Sequence, residues 1–135
     1  MASKKHHGVK HLVVSCIDYR FRDKIARWIR TNLKNQADLV SVGGASKAFN
    51  DTASVAYLMS HLALARDLHG VTTIHLIDHI DCGAYGGSKQ HANETAEKKF
   101  HRTELDRAAK AIKKKFPKLK VKKYIATFKG VQALS

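Results

Sequence analysis

Ile74-His75-Leu76-Ile77-Asp78-His79-Ile80-Asp81-Cys82-Gly83-Ala84-Tyr85-Gly86-Gly87 begins as an apolar run and breaks into a glycine-rich loop. The run reads as a buried strand, and the break carries a histidine and a cysteine three residues apart, His79-x-x-Cys82. The turn between them lets both side chains converge on one borderline or soft metal ion. The pair gains weight because the chain has two cysteines in all, and the other, Cys16, also ends an apolar run, Leu12-Val13-Val14-Ser15. Two thiolates and one imidazole on strand-end loops leave a tetrahedral ion one open position, the arrangement of a catalytic zinc rather than a structural one. For Cys16, His79 or Cys82 taken singly, a small buried hydrophobe or a backbone-bonded histidine is the simpler account; the three together point to metal.

Outward from that strand the chain alternates. Residues 11–18 read as a first strand, and Phe21, Ile25, Trp28, Ile29 and Leu33 recur at helical spacing, predicting a helix over 22–34. Residues 38–42 form a second strand stopped by Gly43-Gly44. A helix capped by Asn50 or Asp51 then buries Val55, Leu58, Met59, Leu62 and Ala65 and ends at Gly70. Residues 72–79 are the third strand. A helix over 93–116 presents Leu105, Ala108, Ala109, Ile112 and Phe116 on one side, and Pro117 prevents its continuation. The last strand is 121–128, whose lysine-rich start suits an exposed edge. Strands alternating with helices predict an α/β fold: a three-layer α/β/α sandwich on a mostly parallel sheet of about four strands, order 2-1-3-4. Ligands in such sheets bind beyond the carboxyl ends of the strands where the winding reverses, here between strands one and three, the two that deliver Cys16 and His79.

The 135 residues suit one domain, with residues 1–9 expected to form a flexible tail. No run of 18 apolar residues exists, and the basic N-terminus lacks the apolar stretch of a signal peptide, so a cytoplasmic protein without membrane contact is expected. That setting argues against a Cys16–Cys82 disulfide. The formal net charge is +14, with twelve Lys/Arg against seven Asp/Glu up to residue 92 and thirteen against four beyond it. Such a field attracts anions, nucleic acid included, but no aromatic residues alternate with the lysines to stack bases. A solvated face is the favoured reading. His61, His69, His75, His91 and His101 could shuttle protons, though single histidines more often serve surface or core, and His6 and His7 could bind metal weakly.

Asp18 and Arg20 follow Cys16 by two and four residues. As a surface ion pair they would matter little. Beside a metal, Asp18 could accept a proton from water and Arg20 could keep that carboxylate ionised and aimed; Asp18 could also swing in as a fourth ligand.

Cys16-x-Asp18-x-Arg20 with His79-x-x-Cys82-Gly83 resembles the paired signature of the β-class carbonic anhydrases, and the likeness runs through Val42-Gly43-Gly44-Ala45 over most of the chain. The resemblance implies zinc held by Cys16, His79 and Cys82, a catalytic dyad of Asp18 and Arg20, and reversible hydration of carbon dioxide to bicarbonate and a proton. It also implies a homodimer or higher homo-oligomer with active sites near the subunit interface. Two departures stand out. Only about ten residues precede the first strand, where the family usually has helices that clasp the partner. Asp78 replaces the glycine common before the zinc histidine, where a carboxylate orients a neighbour, alters the site's charge or caps the strand. Relatives in the family hydrolyse carbonyl sulfide or carbon disulfide, which makes that chemistry the alternative; outside enzymes, the alternative is a basic nucleic-acid-associated protein with structural zinc.

Overall fold

The computed structural model describes residues 7–134. Five strands form one sheet in the order β2-β1-β3-β4-β5: β1 (His11–Ser15), β2 (Ala37–Ser41), β3 (Thr73–His79), β4 (Lys120–Thr127) and β5 (Gly130–Leu134). β1 pairs in parallel with β2 and β3, β3 in parallel with β4, and β5 runs antiparallel to β4. The expected order 2-1-3-4 is present and extended by one strand.

Every residue of β3 is buried, which is why it reads as a continuous apolar run rather than an alternation. Its alternate residues face two separate cores. Ile74 and Leu76 pack with Leu12 and Val14 against α3 (Val55–His69) and α4 (Glu94–Lys115), in a cluster that includes Leu58, Leu62, Leu105 and Ile112. Ile77 packs with Val13 against Ile25, Ile29 and Leu33 of α1 (Arg22–Leu33) on the other face. The result is the three-layer sandwich.

Local chemistry sets the helix ends. The Asn93 side chain accepts the Ala96 amide at 2.9 Å, acidic Glu94 and Glu97 occupy the first turn of α4, and Lys113, Lys114 and Lys115 the last, complementing the helix dipole. Lys113 also donates to the carbonyls of Pro117 and Leu119, so part of the basic segment secures the turn into β4. Gly70 ends α3 with φ +75°, as its position predicts.

Two expectations change. Asn50 and Asp51 do not cap α3, because residues 46–50 already form a short helix, α2 (Ser46–Asn50); the Asp51 side chain accepts the Ala53 amide and α3 begins after Ser54. The strand over 121–128 is not the sheet's edge, since a tight turn at Phe128-Lys129 returns the chain as β5. β5 covers β4 only from Lys123 onward, so the lysine-bearing start, Lys120 to Lys122, does project past its neighbour. Of the expected tail over 1–9, residues 1–6, His6 among them, lie outside the described residues; the Val9 amide donates to the His69 carbonyl at 3.0 Å.

Candidate metal centre

β1 and β3 lie side by side, so their carboxyl ends bring residues far apart in sequence to one point. Donor atoms of Cys16, His79 and Cys82 all lie within 4.8 Å of one another. Both cysteines are free; His79 and Cys82 are buried and Cys16 is half-buried. His79 Nδ1–H donates to the Ile80 carbonyl at 2.6 Å, which fixes the tautomer and leaves Nε2 with its lone pair free. That Nε2 is buried and has no hydrogen-bond partner. A buried imidazole nitrogen left bare toward two sulfurs fits a metal ion, because its desolvation otherwise goes uncompensated. Mixed sulfur and nitrogen donors suit zinc best among the common ions.

The two sulfurs sit in different electrostatic settings. The neighbouring Cys82 thiol and His79, with the Gly44 amide that donates to the Cys16 sulfur at 3.4 Å, hold the Cys16 thiol far below its usual range against the opposing effect of burial. Cys82, as donor to Cys16, is pushed up, its burial adding to the effect. Burial lowers His79, but the nearby Cys16 sulfur and the bond to the Ile80 carbonyl outweigh that and raise it. The Phe21 ring stacks on His79 at 4.4 Å between centroids and closes that side of the site.

Asp18 stands beside this group, its Oδ2 3.8 Å from His79 Nε2. Arg20 grips it through Nε (3.1 and 3.2 Å) and Nη2 (2.7 Å), and the Arg20 amide adds a bond to Oδ1 at 3.0 Å. That guanidinium holds the Asp18 carboxyl down at about 2. The fork is filled on its other side by Asp81, whose Oδ2 accepts Nη1–H and whose carbonyl accepts Nη2–H, each at 3.0 Å. Asp81 was not among the residues singled out in the sequence, although it sits inside His79-x-x-Cys82.

Asp78 points to the opposite face of β3 from His79. It is buried and accepts the Ser46 amide (3.0 Å), the Ser46 hydroxyl (2.7 Å) and His101 Nδ1–H (2.7 Å). Of the three roles open to it, it orients neighbours: it ties down the loop whose Gly44 amide meets Cys16. His61, His69, His75, His91 and His101 are absent from the three-residue donor group; His69 pairs with Asp38 and His101 with Asp78.

Two openings meet at Asp18. A cavity of about 420 Å³ between α1 and β2 is walled largely by apolar side chains, among them Ile17, Ile25, Ile29 and Leu39, and reaches Cys16 and Asp18. On the other side lies an open cleft bordered by Arg20, Asp81, Gly83 and Lys89.

Comparison with known proteins bears on the fold and the family. A crystal structure of the β-carbonic anhydrase CafA of Aspergillus fumigatus superposes on the whole of this chain and 78% of its own, with TM-score 0.69 at 13% identity. A mutant of the β-carbonic anhydrase CafD of the same fungus matches 95% of this chain and 90% of its own, with TM-score 0.53 at 13% identity. These likenesses establish the fold. In sequence, an uncharacterized protein of Rickettsia bellii (strain RML369-C) is 31% identical over 96% of this chain and 85% of its own length. Uncharacterized protein RC0076 of Rickettsia conorii (strain ATCC VR-613 / Malish 7) is 32% identical over 89% of this chain and 68% of its own. The family model described as "Putative carbonic anhydrase" matches residues 6–133. On a match of that extent, the chain belongs to this carbonic anhydrase family, as a divergent member with the β-class fold.

Proposed function

We propose that the protein is a zinc-dependent carbonic anhydrase, with Cys16, His79 and Cys82 as zinc ligands and Asp18 and Arg20 as the catalytic dyad. The observation that carries this reading is the bare, buried Nε2 of His79 facing two thiol sulfurs with an Arg-held carboxylate 3.8 Å away. Zinc bound there supplies the Lewis acidity that makes water a nucleophile near neutral pH. The chain supplies the rest. Asp18, kept ionised by Arg20, accepts a hydrogen bond from the attacking water and holds its lone pair toward substrate. The apolar walls of the cavity suit a neutral linear molecule such as carbon dioxide.

Two reduced cysteines in the ligand set favour a cytoplasmic setting. Among the described residues no helix is long and apolar enough to cross a membrane. We take the protein to act as a homodimer or larger homo-oligomer, a reading supported by the outer position of β2 in the sheet and by exposed Leu39, Leu64 and Leu68 around it.

Stopped-flow carbon dioxide hydration by zinc-loaded protein tests the reaction. Turnover is expected in the parent. In Asp18→Asn it should fall about 100-fold or more, the scale of a lost proton-accepting group, with one zinc per chain retained. Cys16→Ser should lose the metal itself. A parent inactive on carbon dioxide but active on carbonyl sulfide would reassign the substrate.

A further inference from the structure

The carboxylate of Glu97 is buried, 3% exposed, on the first turn of α4. Its two hydrogen-bond partners are neutral donors: the Asp81 amide at 2.6 Å on Oε2 and the Ser88 hydroxyl at 2.8 Å on Oε1. A buried carboxylate is costly to hold in place, so a fold that keeps one there is using its strong acceptor oxygens. Ser88 is bonded twice, since its amide also donates to Asp81 Oδ1 at 2.8 Å. Glu97, Ser88 and Asp81 thus close a ring of hydrogen bonds that fixes both the backbone and the side chain of Asp81. The backbone needs fixing, because Asp81 has φ +55°, a left-handed conformation that a non-glycine residue holds at a cost.

Fixed in this way, Asp81 offers Arg20 two acceptors, its Oδ2 and its carbonyl, on the side of the guanidinium away from Asp18. A guanidinium is planar, so anchoring one edge sets the direction of the other. Bonded to Asp18 alone, the half-buried Arg20 side chain would be free to swing with it. We propose that Asp81 and Glu97 are positioning residues: Glu97 locks Asp81, Asp81 locks Arg20, and Arg20 thereby holds the Asp18 carboxylate at its place beside His79. The proposal rests on the dyad reading above and extends it from two residues to four, reaching from the metal loop to α4.

The test has a readout independent of turnover. In zinc-loaded protein labelled with 15N-arginine, the Arg20 Nε–H resonance, assigned by its loss in Arg20→Lys, should be sharp and slow to exchange with water. Asp81→Asn keeps the side-chain shape, tolerates the positive φ and still accepts the Ser88 amide, but turns a donor toward Arg20 Nη1. It should speed that exchange about tenfold or more, the scale of one charge-assisted hydrogen bond. Glu97→Ala should do the same, and Glu97→Gln, which retains an acceptor for the Asp81 amide, should restore slow exchange. Turnover should follow, with kcat lowered and KM little changed in Asp81→Asn. An Arg20 resonance unaltered in Asp81→Asn overturns the proposal, whether or not Glu97→Ala folds. A parent without turnover would overturn the proposed activity, and the resonance would still decide the clamp.

Discussion

His75, two residues into β3, shows how burial, helped by neighbouring groups, can make a side chain sensitive to acid. Its ring bonds to His11 at 2.9 Å and Tyr124 at 2.8 Å, and Trp28 packs on it. Burial, then the neighbouring His11 and Lys122, lower its pKa to about 4 from the ordinary 6.5. The folded state therefore prefers the neutral ring, while the unfolded chain takes up a proton below about 6.5. Its contribution to stability is complete above that pH and disappears as the pH falls through about 4. His75→Gln should flatten this part of the curve: the loss of melting temperature between pH 6.5 and 4.5 should be smaller than in the parent, measured by circular dichroism. Asp18 follows a parallel rule lower on the scale. Its depressed carboxyl favours folding above its ordinary 3.8, and that contribution is lost as the pH drops toward 2.

At the level of elements, the loop between β2 and α2 joins the two halves of the site. Gly44 has φ +81°, and a Cβ there would lie 2.8 Å from Lys47 Cβ and 3.2 Å from Ala84 Cβ, on the loop that carries Cys82. Gly44→Ala should cost about 1–3 kcal/mol in urea unfolding, from backbone strain and overpacking together. It should also weaken zinc binding in a chelator competition, because the Gly44 amide would shift from the Cys16 sulfur. Much at this scale was legible in the sequence. β1 and β3 announce themselves as apolar runs and α1, α3 and α4 by apolar periodicity, and the motif residues fall at strand ends where a parallel sheet places ligands. What escaped has physical causes. α2 is a single short turn without an apolar stripe, and β5 is held by its pairing with β4 rather than by a sequence pattern of its own. Glu97 and His101 fall at helical spacing ahead of Leu105, Ala108 and Ile112, so they share the buried face; polarity hid what spacing declared. Asp81 looked like filler between two ligands because its role depends on Arg20, far away in the chain.

Over the whole molecule, the candidate metal centre lies at the carboxyl ends of the neighbouring strands β1 and β3. An ion bound only by the folded state adds stability by mass action, about 4 kcal/mol when it is present at a thousand times its dissociation constant. Chelation should therefore lower the melting temperature of zinc-loaded protein. Cys16→Ser should melt near the chelated parent and show little further response to chelator, which calorimetry would measure. A Cys16→Ser protein that still responded fully would place the stabilising ion elsewhere.

The adjacency of β1 and β3 also sets an order of events. His79 and Cys82 are neighbours in the chain and can hold an ion loosely as soon as their loop exists, whereas Cys16 lies more than sixty residues earlier. It joins them only once two strands have paired in parallel across intervening helices, a slow kind of closure. On the proposed ligand set, tight zinc capture is a late step on the folding pathway, and the rate at which a refolding chain sequesters zinc from a dye should report the arrival of β1.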